Sequence, residues 1–286
     1  MATFHLRYPG GLSKALTFSY DDGVEQDIRL VEIFDKNGLK GTFNINTGSF
    51  AKEGTVYPKG QVHRRMTKKQ TYELFANSPH EVAVHTLTHP FLEQIPSNMA
   101  INEVINDRKN IEEMFGTIAR GMAYPFGTTS DEVVAALKAC GIVYSRTLGG
   151  DNNRFEMPRD FHAWMPTAHH NNPSLFDWID EFNSLEYSTV RTNRNAPRLM
   201  YIWGHSYEFD RDNNWERIED ICSKLSGRED TWYATNIEIY DYVRAYESLV
   251  FSADEKKVYN PTNKTVWLTC NYEIYEIEPG ETVRIK

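Results

Sequence analysis

Short apolar runs and longer segments with helical spacing alternate along most of this chain. The short runs are rich in β-branched and aromatic residues and predict strands at residues 15–20, 41–45, 81–84, 121–124, 142–146 and 198–203. Apolar residues three and four apart predict helices at residues 27–37, 68–77, 97–115, 131–139, 174–188, 215–225 and 236–249. This alternation indicates βαβ units around a parallel sheet. The hydrophobic pattern therefore predicts an α/β fold.

The pattern changes after residue 252. Residues 253–286 contain short alternating or β-branched stretches, separated by turns at Pro261 and Pro279-Gly280. Such stretches predict a small antiparallel β extension rather than a further strand–helix unit. We expect an α/β domain over residues 1–252 and an extension over residues 253–286 that packs against it. A sugar-binding or dimerisation surface is the alternative role for the extension.

The net charge and the hydropathy of the chain argue against nucleic acids and membranes as partners. The 286 residues carry 31 basic and 40 acidic side chains, which gives a net charge of -9. Because a nucleic-acid or anionic-membrane surface needs a basic excess to displace counterions, both partners are disfavoured. No apolar run approaches the length of a membrane span. The sequence leaves the oligomeric state open.

The cysteines and the first residues bear on the compartment. Cys140, Cys222 and Cys270 are well separated and form no CxxC pattern, which is typical of reduced thiols. The N-terminal residues lack a basic segment followed by an apolar core and a cleavage site. We therefore expect a cytoplasmic protein, with an export signal trimmed from the sequence as the alternative.

Two adjacent carboxylates, Asp21 and Asp22, end the first predicted strand and precede Gly23. Alternation along a regular strand would direct the two side chains to opposite faces, but a turn at the glycine lets both reach one pocket. Parallel α/β enzymes place their chemistry at the carboxyl ends of strands. An ordinary Asp-Asp-Gly surface turn is the alternative, so the other strand ends must decide between the two interpretations.

Histidines follow two other predicted strands. His85 and His89 come directly after residues 81–84 and are four apart, so on a helical turn both imidazoles would reach one ion. Two histidines and one carboxylate leave positions on a divalent metal open for water and substrate. His205 follows Gly204 after the run at 198–203, where it could act as a general acid or base. A structural role is the alternative for each histidine.

A turn of sequence Tyr124-Pro125-Phe126-Gly127 follows the strand predicted at 121–124. Such a turn can present backbone N–H groups to an oxyanion. Four strand ends at one rim of the sheet therefore carry an acid, an imidazole or a turn suited to chemistry. Independent coincidence is a poor explanation for that placement.

The order of these four motifs resembles that of the polysaccharide deacetylase superfamily, also called carbohydrate esterase family four, along most of the chain. The resemblance implies a deformed (β/α) barrel of about seven strands. It also implies that a divalent metal, commonly zinc, assists the hydrolysis of an N-acetyl or O-acetyl group. The roles it implies for single residues are metal ligands at Asp22, His85 and His89, a general base at Asp21, a general acid at His205 and an oxyanion-binding backbone N–H at Phe126.

Some positions depart from the family pattern. Relatives often carry an arginine that contacts the base two residues before the motif's proline, whereas this chain has Ala123. Arg120 and Arg159 are the candidates to replace it. Trp203 stands where a leucine is common and would enlarge the wall of the pocket.

Further aromatic and histidine residues are candidates for the substrate cleft. Tyr124 and Trp164 are predicted to bind substrate, with core packing as the alternative for Trp164. His169 and His170 are interpreted as exposed loop histidines, with a place in the cleft as the alternative.

The leading interpretation is a metal-dependent hydrolase that removes acetyl groups from an N-acetylated amino sugar or polysaccharide. A second interpretation keeps the metal but takes an O-acetyl ester or a small non-sugar amide as substrate. A third is a carbohydrate-binding protein that has lost turnover. The third is disfavoured because the acids and histidines of all the motifs are present.

Overall fold

The computed structural model of this protein describes residues 3–149, 155–186 and 196–286. Its strands are β1 (Phe4–Arg7), β2 (Lys14–Asp21), β3 (Gly41–Ile45), β4 (Glu81–Val84), β5 (Gly121–Ala123), β6 (Tyr144–Arg146), β7 (Ala168–His169), β8 (Arg198–Gly204), β9 (Thr231–Tyr233), β10 (Val250–Phe251), β11 (Lys257–Tyr259), β12 (Val266–Cys270), β13 (Glu273–Ile277) and β14 (Thr282–Arg284). Its helices are α1 (Gln26–Lys36), α2 (Lys68–Phe75), α3 (Ser97–Phe115), α4 (Asp131–Ala139), α5 (Leu175–Ser184), α6 (Tyr207–Asp212), α7 (Trp215–Leu225) and α8 (Asn236–Glu247). Among the described residues, no helix has the length and apolar character needed to cross a membrane.

The main sheet is parallel and curls into a deformed barrel. Its strands pair in the order β6-β5-β4-β3-β2-β8-β7, and β9 pairs with residues 14–16 of β2. The two ends of this order approach each other, because Trp164 forms a bridge to Arg146 at the end of β6 and the chain then runs into β7. The predicted α/β fold, a deformed (β/α) barrel with a small β extension, is therefore confirmed.

Strand β2 lies at the centre of this sheet. All eight of its residues are buried, and it pairs with β3, β8 and β9. Its sequence alternates: Leu16, Phe18 and Tyr20 lie in a hydrophobic cluster, whereas the buried Thr17 and Ser19 side chains on the other face are hydrogen-bonded to Asn236 and Asn44. Because the strands of this sheet are parallel, their carboxyl ends meet at one rim, and the motif residues lie there.

Hydrophobic clusters hold the helices against the sheet. One cluster joins Phe18 and Phe43 of the sheet to Phe34 of α1 and to residues of α7. Helix α8 begins at a capping box, in which Thr235 accepts a hydrogen bond from the backbone of Glu238 and the Glu238 side chain accepts one from Thr235. The N-cap of this helix is therefore Thr235.

Two three-stranded antiparallel sheets, β1-β12-β13 and β10-β11-β14, form a small sandwich around a core that includes Val258 and Leu268. The sandwich packs on α8. The Tyr242 hydroxyl accepts a hydrogen bond from the Trp267 backbone at 3.0 Å and donates one to the carbonyl of Arg7 at 2.6 Å. The two sheets of the extension also include β1 and β10, which precede residue 253 in the sequence. The proposed domain boundary at that residue stays a prediction.

Some short helices and strands were not predicted from the sequence. Helix α6 and strands β7 and β9 contain between two and six residues, which is too few to establish a hydrophobic period. Helix α5 ends at Ser184, earlier than expected, and residues 187–188 of the predicted helix lie outside the described residues. Where it is described, the segment at 148–172 is irregular apart from β7 and a short turn of 3-10 helix at residues 161–163, and residues 150–154 lie outside the described residues.

Candidate active site

Asp21 is the last residue of β2, and Asp22 begins the turn that follows. Asp22 has a φ of 88° and Gly23 a φ of 64°, so the extended backbone ends between the two acids. Asp21 consequently faces Arg146 and His205, whereas Asp22 faces His89. A left-handed φ is uncommon for a residue with a side chain and concentrates at functional sites. The change in backbone conformation separates two adjacent carboxylates into two environments.

Asp22, His85 and His89 form the first cluster of ligand-type side chains. One oxygen or nitrogen atom from each lies within 4.8 Å of the other two. His89 Nε2 lies 4.0 Å from Asp22 Oδ1, and the two imidazole ring centres are 4.8 Å apart. The helical turn expected from the histidine spacing is wrong. Left-handed residues at Thr86 and His89, with φ of 67° and 64°, turn the chain so that both rings converge.

Hydrogen bonding leaves one ring nitrogen of His85 free for a ligand role. His85 Nδ1 lies 2.8 Å from the carbonyl oxygen of Ala123, and because a carbonyl only accepts, Nδ1 carries the proton. The Nε2 atom of the neutral ring therefore has its lone pair available, as in metal-binding histidines. Burial lowers the pKa of His85 to about 4 and keeps the ring neutral near pH 7. Asp22 is ionised, since hydrogen bonding to His63 and the charge of Arg65 outweigh burial and lower the pKa of its carboxyl.

Arg146 makes the contact with Asp21 that was expected of an arginine at the position of Ala123. It ends β6, is almost fully buried and forms a close ion pair with Asp21 Oδ2. Burial alone would raise the pKa of Asp21, but the charges of Arg146, His85 and His205 lower it below its usual range. The guanidinium also lies 4.4 Å above the ring of Trp203. Asp21 is thus a buried, ionised carboxylate.

The two arginines considered from the sequence lie elsewhere. Arg120 forms a two-pronged ion pair with Asp241, with N–O distances of 3.0 and 2.8 Å. Arg159 is exposed on the segment before the short helical turn at residues 161–163. The signal that could have identified Arg146 is its position: it ends a predicted strand at the rim that carries the motifs.

His205 follows β8 and lies between two carboxylates. Its Nε2 is 4.0 Å from Asp21 Oδ2, and its Nδ1 is 3.8 Å from Glu208 Oε2. Burial lowers the pKa of His205, but Glu208, Asp21 and Asp22 together raise it above 6.5. The sequence analysis missed Glu208, although its position three residues after His205 on a helical turn would have placed the two side chains together.

His169, His170 and Glu208 form a second cluster, whose ligand-type atoms also lie within 4.8 Å of one another. Glu208 Oε2 lies 2.9 Å from His169 Nε2 and 3.2 Å from His170 Nε2. The backbone N–H of Asn171 donates to His169 Nδ1 at 3.1 Å, so the proton of the neutral ring is on Nε2 and faces Glu208. The interpretation of both as exposed histidines is wrong: His170 is fully buried and His169 partly buried.

The predicted aromatic residues divide into two groups. Phe126 is 44% exposed, stacks on Phe91 with ring centres 3.6 Å apart and contacts the His89 ring. Trp203 is half-buried between Arg146 and the second cluster, with its ring centre 4.7 Å from that of His169. Both border the acids and histidines of the site.

Two predicted substrate-binding side chains lie in the core instead. Trp164 is buried against Tyr144, Phe161 and Tyr201, and its core-packing alternative is therefore the one observed. The Tyr124 side chain is also buried, and its hydroxyl donates to the carbonyl of His162 at 2.8 Å. Tyr124 lies just after β5 and Trp164 in an irregular stretch, so no hydrophobic period in the sequence predicts the side on which either ring packs.

Known proteins are similar to this chain in sequence and in fold. Residues 9–145 match the family model described as polysaccharide deacetylase. A putative polysaccharide deacetylase from Mycobacterium smegmatis is 17% identical, with a TM-score of 0.58 over 85% of this chain and 94% of that chain. Peptidoglycan deacetylase PdaC from Bacillus subtilis is 14% identical, with a TM-score of 0.50 over 82% of this chain and 94% of its own.

Other comparisons are partial or empty. The deacetylase PplD from Streptococcus pyogenes is 21% identical, but the match covers only 45% of this chain and 54% of that chain, with a TM-score of 0.40. No curated protein matches the chain. The identities are low, so the two larger matches establish the fold alone. The matched residues 9–145 contain both acids, the His85–His89 turn and the turn at Phe126. The match of residues 9–145 and the curled parallel sheet make this part of the chain similar to polysaccharide deacetylases.

Proposed function

We propose that this protein is a metal-dependent hydrolase that removes acetyl groups from an N-acetylated amino sugar or polysaccharide. One observation carries the proposal. A cluster of metal-ligand-type side chains, formed by Asp22, His85 and His89, lies beside the buried carboxylate of Asp21 and beside His205, whose pKa is raised. The match of residues 9–145 to the polysaccharide deacetylase model supports an acetylated sugar as substrate.

The donor set of the first cluster fits a divalent metal, and we propose zinc. Two imidazoles and one ionised carboxylate are a common zinc ligand set that leaves a position open. His85 contributes Nε2, because its other nitrogen is engaged by the carbonyl of Ala123. A bound zinc would polarise the acetyl carbonyl and lower the pKa of a water molecule. The remaining steps fall to the residues of this chain.

Asp21 acts as the general base. Its pKa is held low by the ion pair with Arg146, so the carboxylate is unprotonated at neutral pH and ready to accept the proton of the attacking water. Asn44 Nδ2 donates to Asp21 Oδ1 at 2.8 Å, and Arg146 donates to Oδ2. These two contacts fix the orientation of the Asp21 carboxylate. A fixed carboxylate favours transfer of the proton from the attacking water.

His205 acts as the general acid. Its raised pKa means that a substantial fraction of the imidazole is protonated near pH 7, so it can deliver a proton to the departing amine nitrogen. An amide hydrolase needs this proton, because an amide ion is not a viable leaving group in water. Glu208 Oε2, 3.8 Å from Nδ1, stabilises the protonated ring from the side away from Asp21.

Phe126 and Trp203 border the place where the acetyl group would lie. The backbone N–H of Phe126 would donate to the developing oxyanion, as in the family motif that the Tyr124–Gly127 turn resembles. The exposed Phe126 ring and the half-buried Trp203 ring offer apolar faces on which a sugar ring can pack.

Acetate release tests the proposal directly. The zinc-loaded protein should release acetate from chitooligosaccharides faster than it releases acetate from acetylated xylan or opens the ring of small cyclic amides. Faster release from acetylated xylan would favour an O-acetyl esterase, and faster opening of the cyclic amides would favour a non-sugar amidase. Asp22→Ala is the matched inactive control. Full zinc occupancy without hydrolysis of any of these substrates would instead favour a carbohydrate-binding protein.

His205 separates amide from ester chemistry within the same site. An alkoxide leaves far more readily than an amide ion, so loss of the acid should slow amide hydrolysis more than ester hydrolysis. We expect His205→Asn to lower kcat for a chitooligosaccharide by about 10³-fold and for an aryl acetate by less than about 10-fold. Equal losses on both substrates would contradict the role of proton donor to nitrogen.

A further inference from the structure

We infer that Arg65 and Asn46 hold the three proposed metal ligands in register, so that Arg65 is a positioning residue for metal binding. The inference rests on the proposed metal site. Asp22 follows β2, whereas His85 and His89 follow β4, and β3 lies between these two strands in the sheet. The ligands therefore come from strands that do not pair with each other. Their backbones are linked through β3, since the N–H of Asp22 donates to the carbonyl of Asn44 at 2.9 Å and that of His85 to the carbonyl of Ile45 at 3.1 Å. These bonds do not orient the Asp22 carboxylate or the turn that carries His89, so other contacts must do so.

Arg65 contacts Asp22 at two points. Its Nη1 donates to the main-chain carbonyl oxygen of Asp22, and its Nη2 donates to Oδ1 at 3.1 Å. Oδ1 is the carboxylate oxygen that lies 4.0 Å from His89 Nε2. The guanidinium thus fixes both the left-handed backbone of Asp22 and the oxygen that faces the ligand histidine. A planar, two-pronged donor suits this task, and the single ammonium of a lysine does not.

Asn46 extends the contact to the other ligands. It follows β3 and is 2% exposed. Its Oδ1 accepts a hydrogen bond from Arg65 Nη1 at 2.8 Å, while its Nδ2 donates to the carbonyl oxygens of His85 and Thr86, the latter at 3.0 Å. Thr86 Oγ1 in turn accepts from the backbone N–H of His89 at 3.0 Å. One amide therefore links the arginine on Asp22 to the turn that carries both histidines.

The backbone on either side of Arg65 is itself fixed against the Asp22 turn. Arg65 forms an antiparallel bridge with Val24. The backbone N–H of Glu25 donates to the carbonyl of Arg64 at 2.7 Å, and that of Met66 donates to the carbonyl of Gly23 at 3.0 Å. The guanidinium therefore starts from a backbone that pairs with the residues immediately after the acids, although the surrounding segment contains no strand of the main sheet.

Charge alone predicts a different outcome from positioning. A positive guanidinium close to Asp22 repels a divalent cation, so a purely electrostatic role would make removal of the charge strengthen metal binding and would leave a lysine substitution neutral. A positioning role predicts that lysine weakens binding, because it keeps the charge but lacks the second nitrogen that contacts Asp22 Oδ1 while the first contacts the Asp22 carbonyl and Asn46. Arg65→Lys therefore distinguishes the two.

The test measures the zinc dissociation constant of the purified full chain by competition with a chromophoric chelator. We expect Arg65→Lys to weaken zinc binding by about 10- to 100-fold, the range seen when residues that orient metal ligands are changed. Arg64→Lys is the matched control. Arg64 lies one residue away and pairs with Glu25 and Asp210 rather than with a proposed metal ligand. The zinc dissociation constant of Arg64→Lys should therefore stay within about twofold of the wild-type value.

The visible absorption spectrum after cobalt replaces zinc reports ligand geometry independently of turnover. Arg65→Lys should change the band shape, and Arg64→Lys should not. Wild-type affinity and an unchanged cobalt spectrum in Arg65→Lys would overturn the inference, as would tighter zinc binding. Failure of the wild-type protein to bind zinc, or zinc binding unaffected by Asp22→Ala, would instead contradict the proposed function.

A second variant tests whether the two residues act as one unit. Asn46→Ala should also weaken zinc binding, and the double variant should lose little more affinity than the weaker-binding single variant. Additive losses would mean that the residues act separately and would contradict the link between them. Thermal unfolding of each metal-free variant verifies that it folds. If Asn46→Ala does not fold, the comparison of Arg65→Lys with Arg64→Lys decides alone.

Discussion

Among the described residues, two clusters bring two histidines and a carboxylate together, and their hydrogen bonds suit the first better to a metal than the second. In the first, formed by Asp22, His85 and His89, the His85 ring donates through Nδ1 to a carbonyl and keeps the Nε2 lone pair free. In the second, His169 accepts a backbone N–H at Nδ1, so its Nε2 carries a proton that faces Glu208. The ligand types and their separations are alike in the two clusters.

The comparison shows that the hydrogen-bond partner of one ring nitrogen determines whether the other nitrogen of the imidazole carries a proton or a free lone pair. A carbonyl behind the ring makes a metal ligand, whereas an N–H behind the ring makes a hydrogen-bond donor. The first cluster is therefore arranged to hold a cation. In the second cluster, imidazoles surround the carboxylate of Glu208. Burial raises the pKa of this carboxyl, but hydrogen bonds from the imidazoles lower it by more, so Glu208 carries a negative charge beside His205.

The largest expected effect is the loss of zinc from the first cluster. Asp22→Ala should reduce bound zinc from one ion per chain to none and abolish acetate release, because the carboxylate ligand is gone. Glu208→Gln should keep one ion per chain, because the second cluster holds none. Metal content after dialysis, measured by atomic emission, provides the check. Two ions in the wild-type protein, with one lost in Glu208→Gln, would contradict the distinction between the clusters.

Asp21→Asn should separate chemistry from metal binding. Asparagine has nearly the same shape but cannot accept the proton, so kcat for acetate release should fall by about 10³-fold while zinc content stays at one ion per chain. Steady-state kinetics and metal analysis on the same sample test this. Near-full activity in Asp21→Asn would show that the assignment of base and ligand between the two acids is wrong.

Arg146→Met should cost both stability and activity, because it leaves Asp21 as a buried carboxylate without its cation. Asp21 and Arg146 are 3% and 1% exposed, and removing one partner of such a pair lowers the free energy of unfolding by about 3–5 kcal/mol. The pKa of Asp21 should rise, and kcat should fall by about 10²-fold at pH 7.

Arg120→Met provides the matched control, since its pair with Asp241 is partly exposed and should contribute about 0–1 kcal/mol. The double variant Asp21→Asn/Arg146→Met should unfold at a higher denaturant concentration than Arg146→Met, because no buried charge is left alone. If chemical denaturation gave equal losses for Arg146→Met and Arg120→Met, the buried pair would not have the importance assigned to it.

The sequence predicted the fold and the motif residues because both depend on local patterns. The buried parallel strands form short runs rich in apolar, β-branched and aromatic residues, and Asp21, Asp22, His85, His89 and His205 all follow such runs directly. Their meeting at one rim then follows from parallel topology. The helical turn expected for His85 and His89 was wrong, because left-handed backbone at Thr86 leaves no periodic signal in the sequence.

The partners of those residues could not be predicted because they come from distant parts of the chain. Arg146 reaches Asp21 only when β6 curls toward the centre of the barrel, and Arg65 reaches Asp22 from a long segment outside the main sheet. Trp164 was misjudged for a related reason. An aromatic residue in an irregular stretch has the same sequence signature whether the chain folds it into the core or toward solvent.

The smallest expected effect is a shift in pH dependence from the second cluster. A general acid works in its protonated form, so amide hydrolysis declines as the pH rises through the pKa of His205. Burial lowers that pKa, and Glu208, with Asp21 and Asp22, raises it above 6.5. Glu208→Gln removes one negative charge 3.8 Å from Nδ1, so the alkaline limb of the kcat profile should move to lower pH by about one unit.

The charged and titratable groups that face Glu208 are His169, His170, His205 and Arg211, and none of them replaces its negative charge on His205. Asp212→Asn is the matched control, since it removes a carboxylate from the same helix that pairs with Arg211 instead. Its pH profile should coincide with that of the wild type. A shift in both variants would mean that α6 acts through its overall charge. An alkaline limb that stays fixed in Glu208→Gln would mean that Asp21 and Asp22 alone keep His205 protonated, and that the second cluster contributes packing rather than charge.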